Sequence, residues 1–534
     1  SNGDVTKPDA GETGFKIGTA NEVNQNGKNF VSWMWKKTPK FFDIVTWTGD
    51  GTENREISHN LGSTPGMIIM KKTNGQEHWY VGCITGVTHS NGWKLNTNEA
   101  VSTYGYFGTT APNASKFHVT NFAGANNSGQ TYVAYLFGHQ TGADSTIKTG
   151  SYTGNGATPA GPIIDLGFEP QWLLIKNASA SANWYIYDTM RGWAVDSSIT
   201  TLLRPDTDAA ELGGTWAANN INPTGFQVRD DDAHFNTDGA TYIYMAIRRP
   251  NMATITDATE VFQPVIYTGD GSTVTHTTTL DHVDMVINKS RDVNQDAVAL
   301  NTRLTGSGQE LYTNATGAEA AAGAAGVQFD APNFTHQYQN YRGGSGGGNG
   351  SNYVNYLWKR AKGFFEIVCY TGTGNNSTRV ITHGLTVKPE MVWVKRRDDL
   401  SSWFVTTESF GANNYLTLDE SGTGSTNTNI GAHTSTQFSA RGLDADGAPF
   451  IAYLFATLAG VSKVGSVTHS GSSTDVDCGF TAGARFVLLK RVDSSGDWFV
   501  WDSVRGIIAG NDPYLRLNSD AVDVTNTDLI DPLA

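Results

Sequence analysis

The chain is short of charge, of cysteine and of long apolar runs, and each shortage closes off a class of protein. Only 16% of its 534 residues are charged, against about 25% in an ordinary globular protein. The balance is acidic, with a formal net charge of −14, so the chain offers little to nucleic acid or to an anionic membrane, both of which reward basic patches. No stretch approaches the roughly 18 apolar residues of a membrane span, and none is expected to insert. The opening Ser1-Asn-Gly-Asp4 has neither the basic start nor the apolar run of a secretion signal. Three cysteines, Cys83, Cys369 and Cys478, fall in separate segments. An odd, scattered set suits neither a disulfide framework nor a zinc site, and it is read as three small buried strand residues.

What is present is glycine (60 residues) and aromatic side chains (11%). Glycine supplies tight turns, while Tyr, Phe, Trp, Val and Thr suit pleated, half-buried strands. A chain of this length exceeds one hydrophobic core and implies about four or five domains of roughly 100–150 residues. Internal repeats set their size. A strand ending in a glycine turn recurs as Trp47-Thr-Gly-Asp-Gly51, Tyr152-Thr-Gly-Asn-Gly156, Tyr267-Thr-Gly-Asp-Gly271 and Tyr370-Thr-Gly-Thr-Gly374, with a worn copy at Val467-Thr-His-Ser-Gly471. Within units an apolar strand ends in lysine (Lys71, Lys176, Lys395, Lys490), and a tryptophan follows eight residues later: Trp79, Trp184, Trp403 and Trp498. The third unit has Ala297 at that place. Units close on an alternating aromatic strand such as Tyr132-Val-Ala-Tyr-Leu-Phe137, after an Asn-x-x-Gly or Asp-x-x-Gly cue.

A longer period overlies the first. Phe30-Val-Ser-Trp-Met-Trp-Lys36 leading into Phe41 matches Tyr353-Val-Asn-Tyr-Leu-Trp-Lys359 leading into Phe364, and Phe41 to Phe364 is an offset of 323 residues. Asp188-Thr-Met-Arg-Gly192 likewise matches Asp502-Ser-Val-Arg-Gly506. The order is therefore read as X-A-B-X-A-B. It comprises 1–40 (the C-terminal part of an X repeat), 41–138 (A), 139–249 (B), 250–359 (a divergent X), 360–457 (A) and 458–534 (an incomplete B). The fold class expected is all-β, a tandem series of jelly-roll-like β-sandwiches of about 100 residues each. The partial end units suggest a portion of a longer repetitive chain, or ends completed by neighbours; an intact native mass of 57.4 kDa would sink the first version. Residues 317–326 carry three glycines and read as a loop, as does the glycine run 343–350.

Candidate chemistry is sparse. The four tryptophans are either sugar platforms or cores of their sandwiches, and their regular place inside strands favours the core. The strand-ending lysines read as solvated ends that deter edge pairing. Asp188 with Arg191, and Asp502 with Arg505, are spaced to pair across a tight turn. They form either a polar contact between neighbouring domains or a local salt bridge. The acidic stretch 229–239 lacks the spacing of a calcium loop and reads as a solvated hairpin. His59 and His383 occupy matching turns and read as structural. The residues shared among units are Gly, Lys, Trp and Tyr, a set with no nucleophile–base pair, so the chain is read as no enzyme and as needing no cofactor.

The strings Tyr356-Leu-Trp-Lys-Arg-Ala-Lys-Gly-Phe-Phe-Glu-Ile-Val-Cys-Tyr-Thr-Gly372, Pro389-Glu-Met-Val-Trp-Val-Lys-Arg-Arg397, Gly460-Val-Ser-Lys-Val-Gly465 and Gly483-Ala-Arg-Phe-Val-Leu-Leu-Lys-Arg491 resemble tandem repeat modules of bacteriophage tail-fibre and tail structural proteins, common in marine phages. The resemblance spans nearly the whole chain, is closest over 353–534 and weakens in the third unit. It implies a virion component on the tail or particle surface, partnered by other virion proteins, assembled as a homo-oligomer (commonly a trimer), and serving as spacer or adhesin arm toward host polysaccharide or surface protein. It brings no catalytic residues. Competing readings are a capsid or tail-shaft decoration protein, a bacterial adhesin or lectin array, and a capsule-degrading tailspike.

Overall fold

A computed structural model describes residues 16–28, 30–82, 85–103, 105–141, 145–158, 160–191, 193, 202–212, 219–222, 224–249, 255–269, 273–280, 283–293, 298–305, 309–322, 327–329, 334–337, 350–372, 374, 379–411, 413–427, 432–440, 445, 448–469 and 471–533. Among them the secondary structure is almost wholly antiparallel β, with one short α-helix, Asn21–Asn24, and a few 3-10 turns. Every sheet draws its strands from a single one of the segments delimited above.

The first A unit shows the plan. Its main sheet runs, edge to edge, Phe42–Thr48, Thr131–Gly138, Pro65–Lys72, Trp79–Gly82 and Gly92–Lys94, and a small sheet pairs Arg55–Ser58 with Lys116–Val119. The opening strand thus lies beside the closing one, Phe42 opposite Phe137 and Thr48 opposite Thr131. The second A unit repeats this with Phe365–Thr371, Pro449–Phe455, Met391–Arg396, Phe404–Thr407, Asn414–Thr417 and Ser425–Thr426. The X unit does so with Phe262–Thr268, Asn352–Trp358, Met285–Ser290, Ala299–Thr302, Gln309–Tyr312 and Ala320–Ala321. That last two-residue strand falls in the stretch expected to be loop. In the first B unit Thr241–Arg248 lies between Ile147–Thr153 and Pro170–Asn177. In the second, Phe486–Lys490 pairs with Trp498–Asp502 alone, and the segment aligned with Ile147–Thr153 forms no strand.

The repeated glycine turn follows from this pairing. Gly49 bonds Gln130 O and receives Gly129 N–H, and Gly154 does the same with Ala240 and Gly239. A Cβ on Gly49 would stand 2.1 Å from Asn127 O, and one on Gly154 would stand 2.2 Å from Thr237 O, so no other residue fits. The asparagine of the closing cue completes the joint: Asn126 Oδ1 accepts from Asp50 N–H at 3.2 Å, and Asn236 Oδ1 accepts from Asn155 N–H at 2.9 Å. His59 and His383 are buried alike, each Nδ1 accepting a backbone N–H (Leu61, Leu385) at 3.2 Å. Their Nε2 atoms therefore carry the proton and donate to Asn113 O and Thr434 O.

Apolar side chains of the main sheets pack on both faces. In Pro65–Lys72, Ile68 and Met70 face the small sheet, with Ile57, Phe117 and Tyr132, and form the sandwich's own core. Met67 and Ile69 turn the other way, into a cluster shared with Trp172, Leu174 and Met245 of the B unit. The second half does this with three units at once. Ile287, Leu300 and Tyr356 of X, Ile367 and Tyr453 of A, and Val500 and Leu515 of B belong to one apolar cluster. Cys369 lies buried there, and burial pushes its thiol up to about 12. Cys478 corrects expectation: it is half-exposed and outside any strand. Cys83 and Ala297 lie outside the described residues.

Candidate functional site at the unit interfaces

The strand-ending lysines and the tryptophans eight residues on are the first pieces of the interface. Lys176, Lys289 and Lys395 are buried rather than solvated. Among the described residues each donates to backbone carbonyls, and burial brings all three down to about 8. Lys176 donates to Asn177 O and Ala180 O of its own unit, whereas the lysines of the second half reach carbonyls of another unit. Lys395 of the second A unit donates to Thr316 O of X at 3.1 Å, and Lys490 of the second B unit donates to Ser421 O and Gly422 O of A at 3.1 and 3.0 Å. Lys289 of X donates to Ser519 O of B at 2.8 Å. X, A and B of the second half are therefore joined head to tail, and the sequence of contacts closes on itself.

The tryptophans follow the same rule. Trp403 Nε1 donates to Tyr312 O of X at 2.8 Å, Trp498 Nε1 to Thr417 O of A at 2.8 Å, and Trp184 Nε1 to Lys94 O of the first A unit at 2.9 Å. These acceptors are register equivalents, because the residue after each returns its N–H to the corresponding place in its own sheet (Leu418 to Trp403 O, Leu95 to Trp79 O). The three indoles are at most 1% exposed. They sit on the sheet face turned toward the neighbouring unit, so the reading of each as the core of its own sandwich needs correction. Trp79 alone is half-buried.

The Asp-x-x-Arg turns of the B units serve both local and inter-unit contacts. Asp502 Oδ1 accepts the N–H groups of Val504 and Arg505, and its Oδ2 takes Arg505 Nε at 2.5 Å. That much is a local turn. Asp502 Oδ2 also accepts from Tyr356 OH of X at 2.8 Å, and Arg505 Nη2 donates to the same phenol at 3.1 Å. Burial lifts the Tyr356 phenol well above its ordinary value, which keeps it a neutral donor. Arg505 also reaches Asp523, which meets Arg291 of X at 3.2 Å. Both Arg505 and Asp502 side chains are fully buried, so the pair is not an exposed bridge of small worth. In the first half Arg191 Nε meets Asp188 Oδ2 at 2.6 Å, and Trp33, the sequence counterpart of Tyr356, donates to that carboxylate at 3.1 Å beneath the Arg191 guanidinium.

Four further ion pairs were not singled out by sequence. Arg397 of the second A unit holds Glu319 of X (Nε to Oε2 at 3.0 Å), both nearly buried. At the meeting of B, X and A, Arg249 bridges Glu169 (2.8 Å) and Asp284 (2.7 Å), while Arg360 pairs with Glu366 and donates its N–H to Asp284 at 2.8 Å. The available signal was position: Arg249 and Arg360 stand at unit boundaries of a chain poor in charge. Among the described residues no three His, Cys, Asp or Glu side chains converge as metal ligands, and no helix is long and apolar enough to cross a membrane.

These contacts define an all-β protein of several antiparallel sheets whose repeats are locked together by buried polar side chains. Residues 5–249 and 257–533 each match the domain of unknown function DUF7483, and the chain belongs to that family. Each match contains one A and one B segment. No curated protein matches the chain.

Proposed function

We propose that the chain is a non-enzymatic structural component of a bacteriophage particle, a tail fibre or tail appendage acting as spacer or adhesin arm in host attachment. The observation that carries this reading is the character of the interfaces. Domains joined by small polar contacts swing freely, whereas large apolar ones hold a fixed geometry. Here the outer sheet face of the second A unit is covered by its neighbours and sealed with a buried lysine, a buried indole and an ion pair (Lys395, Trp403, Arg397 with Glu319). Such a chain transmits position and force. The repeats, the low charge and the resemblance to phage tail modules support the same reading, with other virion proteins and host-surface polysaccharide or protein as partners.

Gold-labelled antibody on intact particles, with cell-binding and sugar-release assays on the purified chain, tests this. Label on the tail, with saturable binding and no released sugar, is the expected result; released oligosaccharide would overturn it. Closure of X, A and B into a compact block favours one second reading, a decoration protein, which predicts label on the capsid or tail shaft. The resemblance implies a homotrimer, yet three units already close within one chain. Sedimentation at 57.4 kDa or at threefold that mass decides between the two.

A further inference from the structure

A cleft of about 660 Å³ opens to solvent where the first A unit meets the first B unit. Small-molecule sites run from roughly 300 to 1,000 Å³. Thr88 and Asn91 reach it from the loop between Trp79–Gly82 and Gly92–Lys94, and Ser179 and Thr241 reach it from the B unit. Val87 and Val101 add half-buried apolar surface. Among the described residues no charged side chain lines it.

The walls are held in place by the junction itself. Thr149 of B donates its hydroxyl to that of Thr85 at 3.0 Å, and His89 Nε2 donates to Thr109 O at 2.8 Å. Val101 N–H reaches Ala178 O at 3.3 Å, and Ala182 N–H reaches Asn98 O at 2.8 Å. The polar groups on those walls are uncommitted. Among the described residues the side chains of Thr88, Asn91 and Thr241 make no hydrogen bond. Ser179 Oγ accepts Thr241 N–H at 2.9 Å, which leaves its own proton to donate. Trp93 borders the cleft at 1% exposure, and its buried indole N–H has no acceptor among the described residues. Such orphaned donors are rare in folded chains.

The second A unit shows that its fold does not require this arrangement. Ile69, Val81 and Trp93 stand in cross-strand register, and their counterparts are Trp393, Val405 and Leu416. Leu416 has no side-chain donor to satisfy. The counterpart of Asn91 is Asn414, whose amide is engaged by Phe410 O at 2.7 Å and by the Thr426 hydroxyl at 3.1 Å. Phe410 itself packs on the apolar cluster of the second half.

We infer that the cleft of the first half is a carbohydrate site, taking a neutral sugar unit within a longer glycan. Free hydroxyl and amide groups that both donate and accept match sugar hydroxyls, and the absence of lining charge suits an uncharged ring. The valines can meet its C–H face, and an open cleft lets the glycan continue on either side. This rests on the reading of the chain as an adhesin arm and supplies that arm with a receptor class.

The parent chain, Thr88→Val with Asn91→Ala, and Ser179→Trp are to be compared on host cells and on a glycan array. The array carries neutral oligosaccharides (glucose, galactose, mannose, N-acetylglucosamine) and acidic ones (uronic and sialic acids). The parent should hold neutral oligosaccharides. The double variant should lose about tenfold or more in affinity, and Ser179→Trp, which fills the cleft, should lose binding, both at unchanged urea midpoints. In the parent itself a bound oligosaccharide should slow hydrogen exchange over 86–93, a readout that does not depend on the variants folding. Preference for acidic glycans, equal binding by all three proteins, or protection confined to other segments would overturn the cleft assignment and leave the adhesin arm standing. Cells bound without any glycan would do the same. Protection at the cleft in a chain absent from the phage tail would instead overturn the fibre reading and keep the site, and a parent that binds neither glycan nor cell would overturn both.

Discussion

Trp403 and Trp79 occupy the same place in two copies of one unit, and replacing each by phenylalanine in the 534-residue chain separates the two roles a tryptophan can have there. Trp403 is fully buried and its N–H crosses to Tyr312 O at 2.8 Å. Phenylalanine forfeits that bond, about 1 kcal/mol net and more where the acceptor stays buried. It also leaves a void where the larger ring packed, for roughly another 1–2 kcal/mol. Trp403→Phe should therefore weaken the X–A contact by about 2–3 kcal/mol, on the order of 30- to 150-fold in its opening equilibrium. Trp79→Phe, half-exposed and without a unit across from it, should cost under about 1 kcal/mol. Hydrogen exchange reads the contact directly through two amides that bridge it, Ser401 N–H to Thr316 O and Glu319 N–H to Arg397 O. Both should exchange faster in Trp403→Phe and stay unchanged in Trp79→Phe. Equal losses of stability in the two variants, with the bridging amides undisturbed, would show that these indoles matter only to their own sheet.

Tyr356→Phe removes the hydroxyl shared by Asp502 and Arg505 and should cost about 1–3 kcal/mol, measured by urea unfolding, since it leaves a buried ion pair short of one partner. Arg397→Met strands Glu319 and should cost about 3–5 kcal/mol, whereas Arg397→Met with Glu319→Leu should recover most of that loss; a double variant no better than the single one would deny the pair. Burial places Lys176, Lys289 and Lys395 near 8 in the folded chain against an ordinary 10.5. The folded values are the lower, so the unfolded chain holds more protons between them, and stability should rise from about pH 8 toward pH 10. Urea midpoints across that window should show the slope in the parent chain and its loss when the three lysines are replaced by methionine.

The all-β class and the spacing of the units were legible because glycine turns and closing strands must recur wherever an opening strand pairs with a closing one. Gly49, Gly154 and Asn126 are fixed by that joint alone. The lysines and tryptophans were misread for one physical reason. A sequence shows that a residue recurs inside a strand, but not whether the sheet has one neighbour or two. With one neighbour, Lys395 ends in water and Trp403 fills its own sandwich; with two, both point into the next unit. A signal was present in Phe365–Thr371, where only Glu366 and Thr371 break an apolar run. A sheet wet on one face alternates, and a sheet covered on both does not. The ion pairs of Arg397 with Glu319 and of Arg249 with Asp284 were hidden because the partners come from different units, and that of Arg249 with Glu169 because its members stand 80 residues apart within one unit, pairings that spacing along the chain cannot reveal.

The low charge and the interlocking are one property. A chain of separate sandwiches would keep the outer face of each main sheet polar. Burying those faces removes that need, and it leaves charge where it closes a junction. It also explains why Lys289 and Lys395 persist at buried strand ends. An aliphatic residue there would pack as well but could not cap the carbonyls left at the end of a neighbour's hairpin, and a buried carbonyl without a donor costs more than the bond itself gains. Because X gives its lysine to B, B to A and A to X, the contact is head-to-tail in kind. A head-to-tail contact either closes or propagates without limit. In the second half it closes after three units, so X, A and B form one finite block. The longer period in the sequence, 323 residues from Phe41 to Phe364, is the length of three such units.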